Sequence, residues 1–410
     1  MNILNNNQQS CAKLSSSILP ASYNGNKLFF TILFLLYFFL MSSSFIWAID
    51  QLFYVSIVLG LFALILLSTR IRQEHVPIYI FVGFLVTSFL VSSFVVGRAK
   101  GAMFFPFLFM VSNFGIAMIL LRGYVYSWAG YLVFYSLVVY FLSFMLAGVN
   151  VRFVMEFCSW NNISMLMLVA CISLYIILSM ENKKIDLKPA VVTLIISIWA
   201  VGRSGIISSF VLLLGLIFIK FRSKPKYIVI IYLFIASLIC AFLMLSSDYF
   251  LSEAANANAI RHLAESMARG QSERWPIWTN YYNNLDISRV IFGVNVAEDP
   301  WPEGERLAYN YHNSFIFLHA QTGFMGLITS ALIIFSIFKF YRTDQVFFIL
   351  LLTLILRSST DVVFFFSRFD FIPFFFIFYF LKRRPFRVPH MNPHCRCQRN
   401  IVHRGAAMSG

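Results

Sequence analysis

Residues 310–326, Asn-Tyr-His-Asn-Ser-Phe-Ile-Phe-Leu-His-Ala-Gln-Thr-Gly-Phe-Met-Gly, carry a His-Asn pair from a polar loop straight into an apolar run. Histidine exchanges protons near neutral pH. The polar-to-apolar junction places His312 where water and a membrane would meet. His319 is seven residues further on, on the same helix face and roughly 10 Å deeper. Its plainer reading is a buried polar residue bonded to a neighbouring helix. Two arginines complement the histidine. Arg203 lies in Ala200-Val201-Gly202-Arg203-Ser204-Gly205, between two apolar runs. As helices, the arm before it (190–201) reaches ~18 Å and the arm after it (205–219) roughly 22 Å, against a hydrocarbon core of ~30 Å. The hairpin tip thus holds Arg203 at or below the headgroup level, where an ionisable residue is a functional candidate by default. The structural alternative is snorkelling at a helix end. Arg274 opens the amphipathic segment Ser272-Glu273-Arg274-Trp275-Pro276-Ile277-Trp278. A guanidinium beside helix N-terminal amides suits a phosphate; a surface ion pair with Glu273 or Glu265 accounts for it equally simply. Arg357 and Asp361, at i,i+4 spacing, neutralise each other on a helix, with Arg368 near the same face if that helix is continuous.

The elements that must position these groups are membrane helices. The chain has 410 residues, 60% hydrophobic and 12% charged, with 48 Phe. That apolar surface exceeds what a soluble domain can hide. Runs near the bilayer-crossing length fall at 28–47, 52–69, 77–96, 102–121, 127–148, 162–180, 190–201, 205–219, 227–246, 313–338, 345–356 and 361–380. The expectation is an all-α polytopic membrane protein of about twelve transmembrane helices. Residues 1–27 form a cytoplasmic N-terminal segment, 28–381 the membrane domain and 382–410 a basic cytoplasmic tail that lies against anionic lipid. With both termini cytoplasmic, the inner segments hold 21 Lys and Arg and the outer side 11, while acids divide 4 inside and 13 outside, counting Asp361, Arg368 and Asp370 of the last span with the outer side. This follows the positive-inside rule, except for the outer loop Gly97-Arg98-Ala99-Lys100. Of the 11 outer basic residues, 10 are Arg, the residue with a planar fork for phosphate. The net charge of +15 is accordingly a topology signal and not a nucleic-acid footprint.

The one long polar segment, 247–312, is expected outside the membrane, with amphipathic helices over Ala254–Arg269 and from Arg274 onward. Its tryptophans suit the membrane interface. The six cysteines form no disulfide framework, and the tail Pro393-His394-Cys395-Arg396-Cys397 fits no standard zinc spacing. No phosphate-binding loop, dinucleotide fingerprint or metalloprotease motif is present in the sequence, so no cofactor or metal is expected. An enzyme of this kind must receive its substrate activated, and a lipid pyrophosphate donor fits that need and the outer arginines.

Four stretches, in order, give the chain a resemblance to the O-antigen polymerase and O-antigen ligase superfamily of bacterial inner-membrane glycosyltransferases. They are Trp160-Asn161-Asn162-Ile163-Ser164, Gly202-Arg203-Ser204-Gly205, Arg274-Trp275-Pro276-Ile277-Trp278 through Phe292-Gly293-Val294, and His312-Asn313-Ser314 through Gly323-Phe324-Met325-Gly326. The resemblance implies metal-independent, inverting transfer of glycan from undecaprenyl pyrophosphate on the periplasmic side of the inner membrane. Arg203 and Arg274 match arginines that would hold the pyrophosphate, and His312 matches a histidine that would orient or deprotonate the acceptor. Asn313 and Trp278 would join them in binding substrate. Membrane lipid and a chain-length regulator protein are the partners it implies. A polymerase extends another lipid-linked repeat, whereas a ligase transfers to lipid A-core. The Phe-rich composition and the lack of an extra outer domain resemble the polymerase branch. A polysaccharide flippase is the reading from another class, and the absence of two matched halves in the sequence weighs against it.

Overall fold

The computed structural model describes residues 21–69, 73–155, 159, 161–221, 274–299, 301 and 311–382. The apolar run 227–246, the helix expected over Ala254–Arg269, the Glu265 and Glu273 partners considered for Arg274, Trp160 and the tail beyond Lys382 lie outside the described residues. Within them, all regular structure is helical. The helices are α1 (Ala21–Trp47), α2 (Asp50–Ser68), α3 (Val76–Val95), α4 (Lys100–Leu121), α5 (Ser127–Leu146), α6 (Asn161–Met180), α7 (Lys188–Trp199), α8 (Arg203–Phe221), α9 (Arg274–Asn283), α10 (Ile287–Phe292), α11 (Ser314–Thr322), α12 (Phe324–Thr343), α13 (Gln345–Ser358) and α14 (Phe371–Leu381). Eight are long and apolar enough to cross a membrane: α1 to α6, α8 and α12, with α3 counted together with the short 3-10 turn before it. Helices α7, α13 and α14 are shorter apolar helices.

Local signals explain many of the helix starts. Pro77 and Pro189 stand in the first turns of α3 and α7, where a missing N–H costs nothing. Asp344 caps α13 by accepting the N–H groups of Val346 and Phe347. Small residues then let helices approach closely. A Cβ on Gly60 of α2 would meet Ser112 Oγ of α4 at 2.0 Å, and one on Gly115 of α4 would meet the Gly60 carbonyl at 2.1 Å. Helix α6 is buried over almost its whole length, so its first residue, Asn161, emerges at the centre of one end of the bundle. Phenylalanines fill the space between α1, α4 and α14, as in the edge-on pair Phe114–Phe374 with centroids 4.5 Å apart.

Loops gather at two rims. One carries 97–99, 161, 200–203, 274–299, 301, 311–313 and 359–361, joined by the hydrogen bonds given below. The other joins Lys27 to Glu181 at 2.6 Å, Lys382 to Glu74 at 3.8 Å and Lys339 to the Phe380 carbonyl at 2.6 Å.

The span expected over 28–47 is found at Asn26–Trp47, within a helix that starts at Ala21. Two expectations are corrected. The span drawn over 313–338 is two helices broken at Gly323, whose φ is +54°. The span drawn over 361–380 is helical only from Phe371; residues 359–370 are non-helical. Arg357, Asp361 and Arg368 therefore do not share one helix face. Arg368 stands over the rings of Phe45 and Phe53, 4.9 and 5.4 Å from their centroids.

Candidate functional site

The first rim brings described residues of all four sequence motifs into one connected structure with the α13–α14 loop. Gly202 and Gly205 lie against the tip of α6. A Cβ on Gly202 would meet Asn161 Oδ1 at 2.7 Å, and one on Gly205 would meet Ser164 Oγ at 2.1 Å. Val201, just before, has φ +53°, a left-handed conformation that is an outlier for a β-branched residue. Arg203 is the first residue of α8. It is exposed and makes no hydrogen bond or ion pair with the described residues. The arm it opens, α8, runs 19 residues or roughly 28 Å, longer than the sequence suggested, while α7 keeps 12.

Arg357 ties this motif to the rest. It is fully buried in the last turn of α13. Its guanidinium donates to Ser204 Oγ and to the Asn161 carbonyl at 3.4 Å, and stands 3.7 Å from Asp361 Oδ2. The other carboxylate oxygen, Asp361 Oδ1, is 3.7 Å from His312 Nδ1. Asp361 thus lies between a buried guanidinium and the candidate catalytic histidine. Burial pushes its carboxyl up, but the His312 contact and the charges of Arg357 and Arg274 outweigh that and hold it below its ordinary value. The sequence paired Asp361 with Arg357 alone; only the fold turns its second oxygen to His312.

His312 itself does not lie on a helix. It has φ +50°, and α11 starts two residues later, so His312 and His319 do not share a helix face as the spacing suggested. Its neighbours fix this unusual backbone. Before it, the Tyr311 carbonyl accepts from Trp278 Nε1 at 2.6 Å. The Tyr311 hydroxyl donates to Asp299 at 2.6 Å, and Asp299 also pairs with Arg289 at 2.9 Å. After it, Asn313 caps α11 through its side-chain oxygen, which accepts from Phe315 and Ile316 N–H at 2.9 and 3.2 Å, and its Nδ2 donates to the Ser359 carbonyl at 3.3 Å. The side chains of Asn313 and Trp278 are thus engaged within the fold. Arg274 opens α9 as expected, and its guanidinium donates to the Thr360 carbonyl, next to Asp361.

His319 follows its plainer reading. It is buried, with Nδ1 2.6 Å from the Tyr281 hydroxyl and Nε2 3.2 Å from the Val290 carbonyl. Arg98, the residue that broke the positive-inside pattern, is also structural. It is buried and donates to Ser93, to the Gln321 and Ala320 carbonyls, and to the Val294 carbonyl, at 2.7–2.9 Å. Burial pulls its guanidinium down to about 10, leaving it charged at neutral pH. The exception to the charge rule was the available sequence signal for it. No signal in the sequence pointed to Asn161 or Ser204 as partners of Arg357. Among the described residues no cluster of His, Cys, Asp or Glu could hold a metal ion.

Neither a curated protein nor a solved structure matches the chain. Residues 189–331 match the model of the family described as O-antigen ligase. The match takes in Arg203, Arg274, Trp278, His312 and Asn313, while Asn161, Arg357 and Asp361 lie outside it and reach the same rim through the fold. It supports polysaccharide-related glycosyl transfer at a membrane. Over residues 189–331 the chain is therefore similar to the O-antigen ligase family, consistent with the O-antigen polymerase and ligase superfamily.

Proposed function

We propose that this protein polymerises undecaprenyl-pyrophosphate-linked oligosaccharide repeat units into an O-antigen, capsular or exopolysaccharide, on the periplasmic side of a bacterial inner membrane. The observation that carries the reading is the rim where His312, Asp361, Arg357 and Arg274 meet, with Arg203 beside Ser204. His312 accepts the proton of the attacking sugar hydroxyl. Asp361 orients the imidazole and stabilises its charged form, and Arg357 keeps the buried carboxylate ionised. Arg203, exposed at a helix N-terminus, and Arg274 hold the donor pyrophosphate and stabilise the charge that develops as it leaves. Attack from the face opposite the leaving group inverts the anomeric centre. Asn313 and Trp278 set the backbone of His312 at the substrate's edge. A chain-length regulator protein and membrane lipid are the partners of such a polymerase.

The family description favours a second reading, in which the acceptor is lipid A-core and the protein is a ligase. Deleting the gene and resolving surface polysaccharide on gels separates the two. Loss of a polymerase leaves single repeats on lipid A-core; loss of a ligase leaves polymer that is absent from lipid A-core. Loss of all surface polysaccharide, single repeats included, with donor trapped on the cytoplasmic side would instead indicate a flippase and overturn both.

A further inference from the structure

The loop between α13 and α14, residues 359–370, is non-helical backbone packed inside a helical bundle, with Val363, Phe364, Phe365, Phe369 and Asp370 all buried. Irregular backbone at membrane depth is tolerated only where the protein satisfies its polar groups. Two buried side chains do so here. Ser314 Oγ donates to the Asp361 carbonyl at 2.8 Å and accepts the N–H groups of Val363 and Phe364 at 3.1 and 3.2 Å. The Asp370 carboxylate turns back to accept the Ser367 N–H at 3.1 Å and lies beneath the turn at Phe365 and Phe366. Those two phenylalanines have φ of +63° and +61°, successive left-handed conformations that non-glycine residues avoid. Backbone held in this way gathers at sites where geometry must be set in advance.

The start of this loop is the candidate site. Asp361 faces His312, the Thr360 carbonyl holds Arg274 and the Ser359 carbonyl holds Asn313. Ser314 is two residues from His312, and its hydroxyl grips the backbone of Asp361. One hydroxyl therefore fixes both members of the His312–Asp361 pair relative to each other. We propose that Ser314 and Asp370 are positioning residues for glycosyl transfer: two clasps that hold the 359–370 loop so that Asp361 meets His312. This rests on the reading of His312 as the proton acceptor.

The charged groups facing the pair are Arg357 from α13 and Arg274 from α9. Displacing Asp361 changes the field at His312 while leaving Arg203 and the donor's binding face in place. The test uses the purified full-length protein in lipid nanodiscs, with the lipid-linked repeat unit isolated from cells lacking the gene. Ser314→Ala should lower kcat by up to ~10²-fold, leave KM for the lipid-linked donor unchanged and move the acid limb of the pH–rate profile. Ser314→Thr, which keeps the hydroxyl, should restore both. Asp370→Asn should show the same split, kcat falling and KM holding. If folded Ser314→Ala keeps the wild-type kcat and pH profile, or loses activity only in proportion to its melting temperature with the profile unmoved, the clasp is wrong. If Asp370→Asn does not fold, the Ser314→Ala and Ser314→Thr pair decides. A fully active His312→Ala would instead remove the catalytic reading beneath the proposal. An inactive His312→Ala beside a normal Ser314→Ala would remove the clasp alone.

Discussion

His312 and Asp361 are 3.7 Å apart, with Arg357 the same distance from the far carboxylate oxygen. The three form one line of charge from the bundle interior to the rim. Removing the imidazole should cost ~10²–10⁴-fold in transfer rate, so His312→Ala should leave donor bound and unextended, visible as lost chain length on gels. His319→Ala should instead lower the melting temperature, because it leaves the Tyr281 hydroxyl without its 2.6 Å partner in a buried place. Asp361→Asn separates the two jobs of the carboxylate. It leaves Arg357 as an uncompensated buried charge, a loss that typically costs ~3–5 kcal/mol. The double variant Asp361→Asn/Arg357→Gln should recover much of the thermal stability and none of the activity. Recovery of activity along with stability would show that Asp361 serves Arg357 and not His312.

At the scale of elements, the break between α11 and α12 determines where the site sits. Gly323 has φ +54°, and a Cβ there would meet the Ile291 carbonyl at 2.0 Å. Gly293, at φ +77°, is pressed in the same way against the Ala320 carbonyl. Arg98 collects the carbonyls freed at the end of α11. A glycine, a second glycine and a guanidinium thus replace the helix that the hydropathy pattern alone would continue. Gly323→Ala should lower stability by more than the ~1–2 kcal/mol of a left-handed residue, since the clash adds to it. Arg98→Ala should lower it by at least ~2 kcal/mol, the worth of a charge-assisted hydrogen bond, and Arg98→Lys should recover only part, because an ammonium lacks the fork. Thermal unfolding in detergent checks each.

For the whole molecule, function requires that the two rims face different compartments. In the proposed function the His312 rim faces the periplasm, which the charge asymmetry favours. A cysteine replacing Asn283 should react with a membrane-impermeant thiol reagent added to intact spheroplasts, and one replacing Asn182 should not. The reverse labelling would overturn the topology and the mechanism together. The opposite rim is held by Glu181, which pairs with Lys27 and Lys183 and accepts from the Ser127 N–H. Burial pushes its carboxyl up, but those three partners prevail and bring it down to about 2. A carboxyl depressed on folding stabilises the protein above its unfolded value and loses that contribution as pH falls through the folded one. The stability gap between wild type and Glu181→Gln should therefore be full at neutral pH and shrink from about pH 4.5 down to about 2, as followed by melting temperature.

Hydropathy and charge read along the chain determined that this protein is helical and apolar enough for many membrane spans, and the four short motifs pointed to the family and to Arg203, Arg274 and His312. Those signals are local: a run of apolar residues, a basic loop, a polar-to-apolar junction. Where a position depended on contacts between distant segments, the sequence misled or was silent. The apolar runs 313–338 and 361–380 look continuous because their residues are equally suited to a helix or to a buried turn. The break at Gly323 exists because the 291–293 backbone occupies the space of a side chain, and the turn at 365–366 is closed by the Asp370 carboxylate, which accepts the Ser367 N–H. Arg98 read as a misplaced topological charge because nothing in its own loop shows the carbonyls it serves more than two hundred residues away. Asp361 read as a partner of Arg357 because i,i+4 spacing is visible in sequence, whereas a carboxylate's second oxygen is assigned only by the packing of α11 against the loop that follows α13.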